Sequence, residues 1–293
     1  VYLVTLRKVS AVPRFCAIVG DYRHKDDAEL GPRPAYSDTG RVVRDALRSI
    51  SMRTPAARLL QYAVMPDHLH MVLHITERTD ESLGDIIVAY KMEVRNRLRV
   101  ADMASDIVFE EGFNDQILTP ERSLGTVISY VRDNPYRLAV RQARPELFRH
   151  VTRLRIGGAD MEAYGNIGLL YTPFKDAVIY HRGYSGAEWQ RLLDRWEYLT
   201  ANGGVLVSAA IHPAERDAIA DYVARGGAVI RICGEPFGER YAPRGEAFAA
   251  CARGQLLQLH PLGLPYQRTD GRMSRNLALR LNAIAEMVAA WRR

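Results

Sequence analysis

The chain begins with an alternating stretch, Tyr2-Leu3-Val4-Thr5-Leu6-Arg7-Lys8, which predicts a strand. Residues 21–38 are polar and rich in Asp, Pro and Gly, and predict a loop. Apolar positions return at helical spacing from Thr39 to Ile50, through Val42, Val43, Leu47 and Ile50. Leu59 to Val64 and His68 to Ile75 are β-rich and flank Pro66-Asp67, so a hairpin is predicted there. Ser82 to Leu98 reads as a long amphipathic helix with Leu83, Ile86, Ile87, Tyr90, Val94 and Leu98 on one side. Residues 107–118 predict a further short strand or extended segment. Thr119 and Pro120 supply an N-cap and a first-turn proline for a helix running to Arg132, and Asn134-Pro135 is expected to stop it.

After residue 150 the pattern changes. Short strands are predicted over 151–180, around Gly157-Gly158. Then helices over 186–201, 213–225, 243–253 and 273–291 alternate with strands over 204–209, 227–233 and 255–260. Such alternation predicts βαβ units and a mostly parallel sheet. The expectation is an α/β protein of two domains, 1–148 and 149–293. A chain of 293 residues is long enough for both.

Composition adds little and excludes some classes. Hydrophobic residues make up 47% and charged residues 25%, ordinary for a globular protein. No apolar run approaches the length of a membrane span, and the N-terminal stretch is too short and interrupted for a signal peptide. Cys16, Cys233 and Cys251 are too scattered for a disulfide framework or a cysteine zinc site. A cytoplasmic protein without a membrane partner is therefore expected. The net charge is +6, and only four of the 40 basic residues are lysine. Arginine suits phosphate binding, but GC-rich coding explains most of this bias equally well.

The most informative run is Met65-Pro66-Asp67-His68-Leu69-His70-Met71. On a strand His68 and His70 project from one face, roughly 6–7 Å apart at the backbone, and can converge on one divalent metal. His74 shares that face but lies roughly 13 Å beyond His70, too far for the same ion. A second piece is Tyr130-Val131-Arg132-Asp133-Asn134-Pro135. At i and i+4, Tyr130 and Asn134 are expected on one helix face. A tyrosine hydroxyl can form a covalent intermediate, and an asparagine amide oxygen can complete a metal shell. Each residue also has an ordinary structural explanation: surface histidines, a helix cap at Asn134, a half-buried aromatic at Tyr130.

Taken together in this order and spacing, the residues resemble the single-tyrosine HUH transposases, in particular the REP-associated tyrosine transposase branch. The resemblance spans roughly residues 1–145. It includes the opening strand, the M-P-D-H-L-H run, the helix from Leu83 to Arg97, Gly112-Phe113-Asn114-Asp115 and the tyrosine-to-N-P segment. The family usually has asparagine where this chain has Asp67, and often histidine or tyrosine where it has Asn114. The resemblance implies a ferredoxin-like α+β HUH domain. It implies His68, His70 and Asn134 as ligands of Mg2+ or Mn2+, and Tyr130 as nucleophile. It implies cleavage and strand transfer of single-stranded DNA at hairpin-associated sites through a 5′-phosphotyrosine. Asp115 is a candidate supporting group, and Arg95, Arg97, Arg99, Arg132 and Arg137 are candidate phosphate contacts. Both monomeric and homodimeric forms are compatible with the family.

The second half resembles, on strand–helix order and short motifs, the Rossmann-like core of DNA-processing protein A and the lysine-decarboxylase-like nucleotide-binding proteins. Strand ends at Ser208, Gly234 and Pro261 are expected to open toward a common crevice. Glu215, Arg244 and Arg275 are residues of interest there. Two alternatives stay open: a non-catalytic hairpin-DNA-binding protein, and a nucleotide-binding protein whose main function lies in the second domain.

Overall fold

The alternation at the N-terminus becomes strand β1 (Tyr2–Arg7) at the interior of a four-stranded sheet. The computed structural model describes residues 1–293 except 104–106, 119–123, 182, 239–240, 265–267, 270–271 and 293. The chain divides into two compact units, Val1–Ala143 and Arg144–Arg293.

In the first unit β1 is followed by β2 (Cys16–Val19), β3 (Arg33–Tyr36), α1 (Asp38–Ala46) and α2 (Arg48–Arg53). Then come β4 (Ala57–Val64), β5 (His68–Ile75), α3 (Leu83–Val100), β6 (Asn114–Ile117), α4 (Leu124–Arg132) and α5 (Asn134–Ala143). The main sheet has the order β4-β5-β1-β6, every neighbour antiparallel, and its elements follow a β-α-β-β-α-β pattern. Strand alternation gives the sheet two faces. Val4, Leu6, Leu69, Met71 and Leu73 point to one face. There they pack with Val43, Leu47 and Ile50 of the α1–α2 segment and Ile86, Ile87, Tyr90, Val94 and Leu98 of α3. The Tyr90 hydroxyl donates to the Val43 carbonyl at 2.8 Å, so α3 is tied to α1 inside this core. Leu3, Ala63 and Val72 point to the other face, where Val127 and Val131 of α4 cover them.

Three local expectations are corrected. The segment 21–38 is not all loop: β3 pairs with β2 as a small hairpin. Proline is tolerated in β3 at Pro34 because the two-stranded sheet has only edges. The helix expected over 39–50 is two helices, divided at Leu47. Asn134-Pro135 ends one helix but also begins the next. α4 closes at Arg132, Asp133 forms the turn, and α5 starts at Asn134 with Pro135 in its first turn, where a missing N–H costs nothing. Thr119 and Pro120 lie outside the described residues.

The second unit holds β7 (Arg149–Ile156), β8 (Ala159–Gly165), β9 (Lys175–Ala177), α6 (Gly186–Ala201) and β10 (Val205–Ser208). It continues with α7 (Pro213–Ala224), β11 (Ala228–Ile232), α8 (Gly245–Ala252), β12 (Leu256–Pro261) and α9 (Arg275–Ala290). The sheet order is β7-β8-β12-β11-β10-β9. β9, β10, β11 and β12 pair in parallel, whereas β8 is antiparallel to both β12 and β7. Gly157 and Gly158 make the β7–β8 turn with φ of +55° and +87°, which glycine adopts without strain. The sheet is therefore mixed, where a Rossmann-like, mostly parallel one was expected. A doubly wound sheet forms its crevice where strand order reverses. Here the four parallel strands follow one another without reversal, so the crevice expected between Ser208, Gly234 and Pro261 has no switch point to form at. α9 covers one face through Leu277, Leu281, Ala285 and Val288, packed on Val205, Val207, Ile230, Ile232, Leu257 and Leu259.

Glu215 is 1% exposed and accepts backbone N–H bonds from Tyr180, Ile211 and His212. It ties the start of α7 to the chain beyond β9 and β10. Arg244 stands at the N-cap of α8 without a side-chain cap bond, and Arg275 is exposed in the first turn of α9. No helix among the described residues is long and apolar enough to cross a membrane.

Candidate functional site

β5 carries the two histidines because its other face is needed for the core. Leu69, Met71 and Leu73 are fully buried, so His68, His70, Val72 and His74 must face the opposite way. The His68 and His70 rings lie edge to face with centroids 4.5 Å apart. His68 Nδ1 is 2.7 Å from Asp67 Oδ1, and His70 Nδ1 is 2.8 Å from Thr5 Oγ1, reached across the β1–β5 ladder. When each Nδ1–H donates to its oxygen, Nε2 carries the lone pair on both rings. Second-shell oxygens fix metal-ligating histidines in this way. The His68 hydrogen bond, with the charges of His68 and Arg7, holds the Asp67 carboxyl below its ordinary range against an opposing desolvation.

α4 crosses the same sheet face. Its Val127 and Val131 pack beside Ala63, Met65 and Val72, which brings the half-buried Tyr130 to the histidines. The Tyr130 and His70 ring centroids are 6.1 Å apart. Tyr130 and Asn134 do not share one continuous helix, because the turn at Asp133 separates them. Asn134 is 8% exposed, and among the described residues its Nδ2 has no hydrogen-bond partner, an orphaned buried donor next to the break. Lys25 pairs with Asp133 at 2.7 Å and lies 5.0 Å from the Tyr136 ring centroid, so the segment between β2 and β3 braces this turn.

The five candidate phosphate contacts separate. Arg137 is buried, with its guanidinium 5.2 Å from the Tyr130 ring centroid. Arg132 pairs with Asp133 at 3.2 Å. Arg95, Arg97 and Arg99 belong to α3, which covers the face opposite the histidines, and Arg97 pairs with Glu93 at 2.7 Å. They cannot hold a phosphate at His68 and His70. Asp115 is likewise corrected. It pairs with Val4, a core-facing residue, and cross-strand partners share a face, so it points away from the histidines. Its neighbour Asn114 pairs with Thr5 and stands on the histidine face.

Two residues escaped the sequence reading, Thr5 and Arg7, and Asn114, noted there without a role, joins them on the histidine face. Arg7 pairs with His68, and Thr5 with His70. Only the register between β1, β5 and β6 reveals them, because they are far from the H-x-H run in sequence.

No three His, Cys, Asp or Glu residues among those described converge on a common point. A cation held here would have two imidazoles and an amide oxygen, from His68, His70 and Asn134. The Nδ1 atoms engaged by Thr5 and Asp67 fit that role, and Asn134 would contribute its amide oxygen, not the orphaned Nδ2 donor. Imidazole donors favour Mn2+ over Mg2+ in such a set.

No family model matches the chain. An uncharacterised protein of Haemophilus influenzae is 24% identical over 119 residues, covering 34% of this chain and 66% of that protein. A REP-associated tyrosine transposase bound to a REP hairpin is similar with a TM-score of 0.33 and 10% identity, over 46% of this chain and 65% of the other. A Deinococcus radiodurans protein provisionally called a transposase is similar with a TM-score of 0.27 and 15% identity, over 45% of this chain and 88% of the other. The chain thus spans just under two thirds of the length of the first two relatives. At these scores the likeness establishes neither fold nor function.

Proposed function

We propose that the first unit cuts and rejoins single-stranded DNA at hairpin-associated sites, with Tyr130 as nucleophile and a Mn2+ or Mg2+ ion held by His68, His70 and Asn134. The observation that carries this reading is the approach of Tyr130 to within 6.1 Å of His70, ring to ring, on the face where His68 and His70 adjoin.

In this reading Tyr130 Oη attacks the scissile phosphorus. The Oη–P bond forms, the P–O3′ bond breaks, and the released 3′-oxygen takes up a proton while the phenol gives one to solvent. The link left behind is a 5′-phosphotyrosine, and attack by a 3′-hydroxyl reverses the step without ATP. The bound ion supplies Lewis-acid polarisation of the phosphate. Thr5 and Asp67 keep the two imidazoles oriented. The α4–α5 break, braced by Lys25 on Asp133, sets the phenol relative to Asn134. Packing of α4 on β4 and β5 restricts the phenol to one side of the sheet.

The test is covalent capture. The full chain, incubated with a single-stranded hairpin oligonucleotide and Mn2+, is expected to yield a protein–DNA adduct that survives denaturation. Tyr130→Phe abolishes the adduct and retains DNA binding. An adduct formed by the Phe variant at the wild-type rate refutes the assignment.

A further inference from the structure

Arg7 ends β1 on the histidine face. Its register partner is His68, and alternation from the core-facing Leu6 turns its side chain to the same side as His68 and His70. Directly opposed residues on antiparallel strands have Cβ atoms roughly 4.5–5.5 Å apart, so a long arginine side chain has the reach to approach a phosphate at the histidine pair. Arg7 is exposed, and its side chain makes no hydrogen bond or ion pair among the described residues. The other arginines near the site are committed elsewhere: Arg132 to Asp133, and Arg137 over the Tyr130 ring. Arg7 is thus a cation on the site face whose fork of donors is open.

We propose that Arg7 is a catalytic residue that grips the scissile phosphate, donating two N–H bonds to its non-bridging oxygens while Tyr130 attacks. The assignment rests on the strand-cleavage reading given above. Guanidinium and phosphate match as a bidentate pair, and lysine, a point charge, does not reproduce that geometry. The charge on the non-bridging oxygens rises as the Oη–P bond forms and the P–O3′ bond lengthens. A fixed cation aimed at those oxygens therefore stabilises the transition state more than the bound substrate. In this role Arg7 exchanges no proton with the substrate. Thr5, two residues earlier on the same strand, holds His70. One strand then positions both a ligand and the phosphate clamp.

The experiment uses the full chain, with single-turnover adduct formation on a hairpin oligonucleotide in Mn2+ and affinity for uncleaved DNA measured by anisotropy. Arg7→Gln is expected to slow adduct formation at saturating DNA by about 100-fold or more, as removal of an oxyanion-stabilising donor does, while affinity changes far less. Arg7→Lys recovers part of the rate. A neutral methylphosphonate at the mapped cleavage position shrinks the ratio between wild type and Arg7→Gln, because the charge that Arg7 offsets is gone. Because Arg7 is exposed, loss of fold is not expected, and circular dichroism checks it. Equal rates for wild type and Arg7→Gln overturn the assignment. A loss confined to DNA affinity, with the rate at saturation unchanged, also overturns it and makes Arg7 a backbone contact. If the wild-type chain forms no adduct, the strand-cleavage reading fails and the Arg7 assignment with it. An adduct in both proteins at one rate fails the Arg7 assignment alone.

Discussion

Asn134 provides a sharp test of the cation site, because its Nδ2 is an orphaned buried donor whether or not an ion is bound, while its amide oxygen is the proposed third ligand. The side chain is 8% exposed and its Nδ2 has no partner among the described residues. A buried unsatisfied polar group costs about 1–3 kcal/mol. Asn134→Leu keeps a similar volume, removes the orphaned donor and removes the third ligand. In EDTA the variant is therefore expected to be more stable than wild type by about 1–3 kcal/mol, a rise in midpoint of about 2–4 °C for each kcal/mol. Adding Mn2+ to 100 times its dissociation constant should stabilise wild type by about 2.7 kcal/mol. The variant, left with two imidazoles, should gain much less, so the order of stabilities narrows or reverses. Thermal unfolding followed by far-ultraviolet circular dichroism reads both effects. All three tryptophans, Trp189, Trp196 and Trp291, belong to the second unit, so their fluorescence follows that unit separately and should not respond. The reasoning is refuted if Asn134→Leu is less stable in EDTA, or if Mn2+ stabilises both proteins equally.

Other consequences follow from the packing. A Cβ added at Gly40 would lie 1.8 Å from the Phe15 carbonyl oxygen, so Gly40→Ala should destabilise the first unit by about 1–3 kcal/mol in urea unfolding, and an unchanged midpoint would contradict this close approach. Burial pushes the Cys16 thiol, aided by Asp67, and the Cys233 thiol up to about 11 from 9.0. At pH 8 their thiolate fraction falls from about 10% to about 0.1%, so alkylation by iodoacetamide should be about 100-fold slower than for a free thiol, as mass spectrometry of the native chain can measure. Glu215→Ala strands three backbone donors and should cost roughly 3 kcal/mol or more, seen as an earlier loss of tryptophan fluorescence; a change below about 1 kcal/mol would show that water satisfies those groups.

What the sequence disclosed depended on how local each signal was. The hairpin of β4 and β5 and the helix α3 were legible because their apolar period lies within one segment. The same alternation put His68 and His70 on one face. The break at Asp133 was only half legible, since a proline that forbids continuation is also a good first-turn residue. The choice of Asp115 as a supporting group and the omission of Thr5 and Arg7 share one cause. Both depend on the pairing of β1 with β5 and β6, which no local pattern encodes. The second unit repeats the lesson. Helices and strands alternate as their periods suggest, but the antiparallel addition of β7 and β8 at one edge is a choice of partner, and it makes the sheet mixed.

The two faces of the four-stranded sheet explain why the site can be exact without a rigid shell of its own. A register slip of one residue between β1 and β5 would move Leu69, Met71 and Leu73 out of the main core to the face that α4 covers only in part, and drive His68 and His70 into that core. The core therefore holds the register, at a cost for error far larger than any interaction in the site could impose. Thr5 meets His70, and Arg7 stands beside His68, as by-products of Val4 and Leu6 being buried between them. α4 obeys the same logic: Val127 and Val131 seat it on the sheet, and Tyr130 arrives at the histidines because it lies between them in sequence. Substitutions of His68, His70, Tyr130 or Arg7 should then leave the fold intact and change only the chemistry. Substitutions of Leu69, Met71 or Val131 should disturb both, which makes the site separable from its scaffold by mutation in one direction only.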